Sequence, residues 1–217
     1  MRAVASQSAD RRGLGSVEVV ARGRRLEHLT IAWNGFEAIV ALASGLIAGS
    51  VALVGFGLDS VIECASASVL LWRLRAERDP ARRDQAERTA HRLVGSCFLL
   101  LAVYVGFESI RSIWIKVQPE RSLPGILIAV AAVIVMPLLG RAKRRVAVQL
   151  GSRALHSDSR QADFCAYLSA ILLLGLSLHT LFGWWWVDPV AALAMVPIIA
   201  REGVQGLRGT RCDQCEC

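Results

Sequence analysis

The sequence predicts an all-α, polytopic membrane protein of six transmembrane helices, and three observations carry that expectation. The 217 residues are 54% apolar with a mean hydropathy of +0.44, above what an average soluble domain holds. The apolar residues are gathered into runs of spanning length, about 17 to 25 residues each. The Lys and Arg residues, which bring the net charge to +7, fall in bands between those runs. Such banding favours the bilayer over a soluble bundle of long buried helices. It also argues against a nucleic-acid partner, because the basic residues are not interleaved with stacking aromatics.

Taken in order, residues 1–28 are polar and Arg-rich and lack the short apolar core and cleavage site of a secretory signal, so they are expected as a flexible, basic cytosolic tail. Six spans follow at 29–53, 54–74, 93–117, 123–139, 154–178 and 184–199, in a transmembrane domain over 29–201. The first two are separated only by the region of Gly55 and Gly57, which requires a tight helical hairpin. The charged connector 75–92 parts the second span from the third, and the block Arg141-Ala142-Lys143-Arg144-Arg145 parts the fourth from the fifth. Residues 202–217 form a second tail carrying Cys212, Cys215 and Cys217.

Of the 25 Lys and Arg residues, only Arg111, Lys116 and Arg121 belong to the side away from the termini. Both termini are therefore expected in the cytosol and the chain in the cell (inner) membrane. Trp184-Trp185-Trp186 falls where the sixth span starts on the non-cytosolic side, the interfacial position that large amphipathic rings prefer. Ala41, Ser44, Gly45 and Gly49 give the first span a small-residue ridge for close helix approach. Cys64, Cys97 and Cys165 lie inside apolar segments, so a disulfide framework is not expected. Cys64 and Cys97 read as packing residues. Glu37 and Glu108 read as helix-to-helix hydrogen-bonding groups, and His28, His91, His156 and His179 as residues of the span ends.

Two constellations carry chemistry. Asp59 and Glu63 are four residues apart, so they share one helical face, with Glu63 near the middle of its span and Asp59 about one turn further out. Two such carboxylates in a poorly solvated place cannot both ionise unpaired, so the empty pair should hold at least one proton. A divalent cation bound there would displace it; the plainer alternative is a pair that bonds neighbouring helices. On the fifth span, Asp158, Gln161 and Cys165 fall within about 60° of one another at 100° per residue, while His156 and Asp163 point to the opposite side. Depth favours the first face, since Cys165 lies near the middle of its span and Gln161 one turn nearer the cytosol, opposite Glu63 on an antiparallel neighbour.

Gly49-Ser50-Val51-Ala52-Leu53 followed by Asp59-Ser60-Val61-Ile62-Glu63 resembles the first-to-second-span region of the cation diffusion facilitator family, where an acid-x-x-x-acid motif supplies half of a transport site. The fifth span is similar too: the family's Asp-x-x-His-x-x-x-Asp stands here as Asp158-x-x-Gln161-x-x-x-Cys165, or, in a shifted register, with Ser159 and Asp163 in the last two places. Phe182-Gly183-Trp184 and Asp188-Pro189 also resemble the start of the family's sixth span, and the likeness covers about residues 28 to 208. About 16 residues follow the sixth span, so the resemblance is to short, transmembrane-only members such as the transmembrane-163 type, without the family's cytosolic C-terminal domain.

The resemblance implies a homodimer in the lipid bilayer that exports a divalent transition metal from the cytosol in exchange for protons by alternating access. The metal would be cargo, with no cofactor permanently bound. Carboxylate oxygen and thiolate sulfur make zinc the preferred ion at Asp59, Glu63 and Cys165, with Gln161 or Asp158 completing the site; cobalt, iron, manganese and cadmium remain open. A second reading is a non-transporting metal sensor or accessory subunit. Cys212, Cys215 and Cys217 suit an accessory soft-metal site. No nucleophile, base and orienting group stand at recognisable spacing, so an enzyme is not expected.

Overall fold

A computed structural model describes the backbone of residues 2–75, 80–150 and 153–208. The Cys212, Cys215 and Cys217 cluster lies outside the described residues. Six helices account for nearly all of the rest: α1 Arg2–Ala48, α2 Val51–Arg75, α3 Pro80–Ile115, α4 Leu123–Leu150, α5 Arg153–Phe182 and α6 Val187–Arg208. Each contains a stretch long and apolar enough to cross a membrane, and there is no strand among the described residues.

The side chains are distributed as a bilayer demands. Leu46, Ile47, Leu100, Trp114 and Leu181 lie on the outer surface, Trp114 at 84% exposure, whereas Glu27, Asn34, Glu37, Asp59, Ser60, Glu63 and Lys143 are buried. Such an arrangement is costly in water and natural in lipid, where polar groups turn to the bundle interior. α1 packs along α2 and α4, and α4 along α5, making a four-helix bundle. α3 and α6 pack chiefly against each other and meet the bundle along α2 and α5. Phe56, Leu53, Val105, Met136, Leu168, Leu172 and Met195 fill the centre.

The first connection differs from the expectation. The chain turns at Gly49 and Ser50, and Gly55 and Gly57 lie inside α2. Gly49 has φ of +67°, a left-handed conformation that only glycine adopts freely. The Ser50 hydroxyl then accepts from the Leu53 N–H at 3.1 Å, an N-cap that starts α2. Gly57 serves packing instead: a Cβ there would stand 2.7 Å from Leu42 Cγ, so the glycine lets the hairpin arms approach.

Three connections meet at this end of the molecule, here called the hairpin end. The Ser50 hydroxyl donates to Asp188 at the start of α6, and the Val51 N–H donates to the same carboxylate at 2.9 Å. The Glu120 N–H donates to the Ala48 carbonyl at 2.7 Å. His179 Nε2 lies 3.0 Å from the Pro119 carbonyl and Nδ1 3.1 Å from that of Trp184, so this histidine is a buried tie between connections. Phe182, Trp184 and Trp186 stack beside it, with centroids 4.9 Å and 5.5 Å apart.

At the opposite end α1 continues back through the segment read as a flexible tail, helical from Arg2. Val19 and Leu26 pack against the cluster of Val146, Ala147 and Leu155 from α4 and α5, so packing begins well before residue 29.

Candidate metal site

α2 crosses the bundle with Asp59 and Glu63 one turn apart on its inner face, and α5 brings Cys165 against them. One ligand atom from each of the three lies within 4.8 Å of the others. All three are buried, Cys165 completely. An ion held by bonds of roughly 2.0–2.3 Å sets its ligands about 3.5 Å apart in a tetrahedron, so modest side-chain rotation closes this set around one cation. Gln161 lines the same cavity; its Oε1 accepts from the Ser66 hydroxyl of α2 at 3.3 Å, and its Nε2 is buried without a hydrogen-bond partner.

The face of α5 that meets the acidic pair is therefore the one bearing Gln161 and Cys165. Asp163 turns the other way and pairs with Arg144 of α4. Asp158 shares the sequence face of Cys165 but is not brought to the cluster. It pairs with Lys143, which lies wholly inside at 1% exposure. Lys143 also donates to Glu27 at 3.3 Å. A buried ammonium is strongly unfavourable unless paired, and α4 draws Asp158 and Glu27 to it, two turns from the cluster along α5 and α1.

The helix that sequence reasoning left out of the site is α1. Asn34 Nδ2 donates to Glu63 Oε2 at 2.8 Å. Glu37, fully buried, accepts from the Ser60 hydroxyl at 2.8 Å, from Trp33 Nε1 at 2.6 Å and from the Cys165 thiol at 3.7 Å. Glu37 is thus the helix-to-helix hydrogen-bonding group its position suggested, and its partners include the site itself. Glu108 pairs with Arg111 on its own helix. The missed signal was Asn34 and Glu37, two polar residues three apart in an apolar span and hence on one face. Glu202 of α6 also lines the cavity, beyond the end expected for the sixth span.

The chain can thus offer a cation two carboxylates and a thiol, held by an amide and a third carboxylate from α1. Hard oxygens and a soft sulfur in one small set suit borderline divalent ions. Across residues 28–210 the sequence matches the cation efflux transmembrane domain. The chain belongs to that family. Similar proteins include an uncharacterized transporter of Synechocystis, 27% identical over 78% of this chain and 56% of its own length. Transmembrane protein 163 of Xenopus laevis is 26% identical over 82% of this chain and 63% of its own. Protein p34 of Rickettsia prowazekii is 24% identical over 70% and 52% respectively. The chain spans between about half and two thirds of these relatives' lengths.

Proposed function

We propose that this protein carries a divalent transition-metal cation, zinc by preference, out of the cytosol in exchange for protons by alternating access. The observation that carries this reading is the convergence of Asp59, Glu63 and Cys165 within 4.8 Å of one another inside helices of spanning length. Ionisable groups there are costly and mark ion paths. The chemistry of the set supports proton coupling: carboxylates and a thiol crowded in a poorly solvated place share protons when empty, and a metal must displace them to bind. The cavity is small and lies at the seam between the bundle and the α3–α6 pair, with Phe98 and Ile199 on its far wall. Sliding at that seam would open the site to one side or the other. We place both termini in the cytosol of the cell membrane, on the distribution of basic residues, and the working unit as the homodimer that the family resemblance implies.

Zinc uptake into proteoliposomes tests the proposal. Asp59→Ala with Glu63→Ala should abolish it, and a protonophore that collapses the pH gradient should stop it in the unsubstituted protein. Undiminished uptake in the double variant would sink the reading. Metal binding without flux in the unsubstituted protein would favour the sensor or accessory-subunit reading.

A further inference from the structure

The cavity has two unlike walls. Asp59, Glu63, Gln161 and Cys165 come from α2 and α5 of the four-helix bundle, whereas the α6 wall is Ile198, Ile199 and Glu202. Glu202 is therefore the charged group that α6 turns toward the site. Glu202 is partly buried, and its Oε2 is covered without a hydrogen-bond partner, a cost to that oxygen that a cation sharing the space would relieve. Arg160 and Arg201 are its cationic neighbours, and neither forms an ion pair with it among the described residues. The next residue, Gly203, locks α6 onto α3: a Cβ there would stand 2.8 Å from Leu99 Cγ. Gly95 repeats the fit one turn along, where a Cβ would meet the Leu207 N at 2.7 Å. Glu202 thus belongs to a tightly fitted helix pair, and the other donors belong to the bundle.

We infer that Glu202 is a conditional ligand of the transported cation, supplied by α6 in the conformation described and withdrawn when the α3–α6 pair shifts against the bundle. The inference rests on the transport reading above and adds to it a source of state-dependent affinity. A site built wholly on α2 and α5 would hold its cation equally in both access states. A carboxylate on the other side of the seam makes one state bind more tightly, and a ligand shifts such an equilibrium only by its difference in affinity between the states. Loss of Glu202 from the coordination sphere would then accompany release.

The test is cobalt binding by the detergent-solubilised full chain carrying Cys64→Ser, Cys97→Ser, Cys212→Ser, Cys215→Ser and Cys217→Ser, so that thiolate-to-cobalt absorption reports Cys165, the remaining thiol. Glu202→Gln should weaken cobalt binding by more than about tenfold, the least that losing even an outer partner of a metal site costs, while the thiolate-to-cobalt absorption still appears at saturation. Glu202→Asp should restore most of the affinity. In proteoliposomes the Gln variant should raise KM for metal by a similar factor. Unchanged affinity and KM in Glu202→Gln would overturn the inference, as would loss of the absorption at saturation, since Glu202 would then act through the fold. Absence of the absorption in the parent chain is a different result: it removes the site itself, and the role of Glu202 with it.

Discussion

At the scale of single residues, the decisive contrast is between Cys165, which reaches the acidic pair, and Asp158, which does not. Helical spacing made the face shared by Asp158, Gln161 and Cys165 legible, and depth chose it over the face of Asp163. Spacing could not show that Lys143, in a block that reads as a solvated basic band, turns inward and takes Asp158. That competition is tertiary, and it follows from the cost of leaving an ammonium buried alone. Lys143→Met should accordingly destabilise the protein by about 3–5 kcal/mol, because two carboxylates lose their counter-charge. Thermal unfolding in detergent measures this, and adding Glu27→Gln and Asp158→Asn should recover much of the loss. Asp163→Ala should leave zinc transport within about twofold of the parent, the scale expected of a substitution outside the first layer of the site. Cys165→Ser should weaken binding of cadmium far more than of manganese, since it removes the soft donor; competitive titration of the two ions checks it.

At the scale of elements, the six spans were readable because each apolar run is long and the basic bands between them are clear. The first boundary was not. Gly55 and Gly57 look like a break in a sequence, yet glycine in a membrane helix serves close packing as readily as turning, and only the positive φ of Gly49 distinguishes the residue that turns. Gly57→Ala should therefore act as overpacking, costing about 1–3 kcal/mol, since the new methyl meets the Leu42 backbone N at 2.9 Å. Ser50→Ala should cost a comparable amount, about 1–3 kcal/mol, by removing a cap and leaving one Asp188 oxygen without its donor. Melting temperatures of the two single variants test both statements. The first span was read as carrying a small-residue ridge for close helix approach, and its role behind the site was hidden because Asn34 and Glu37 have meaning only beside Glu63 and Cys165.

At the scale of the whole molecule, class and span number were set by hydropathy, whereas the division into a four-helix bundle and a helix pair was not legible, because every span is apolar on the side that meets lipid and largely apolar on the side that meets protein. The proposed orientation has its own test. In a cysteine-free background, Lys116→Cys should react with a membrane-impermeant maleimide added to intact cells, and Arg208→Cys only after the membrane is opened.

The ties among Ser50, Asp188, Ala48, Glu120 and His179 give that end of the molecule the character of a fulcrum. Glu202 lies fourteen residues beyond Asp188 on α6, a lever arm of roughly 21 Å at 1.5 Å per residue. A tilt of about 10° around the tied end would swing the Glu202 position by roughly 3–4 Å, further than the length of a metal–oxygen bond, about 2.0–2.2 Å. A small rotation about the hydrogen-bonded fulcrum would thus be enough to make or break coordination at the far end of the lever.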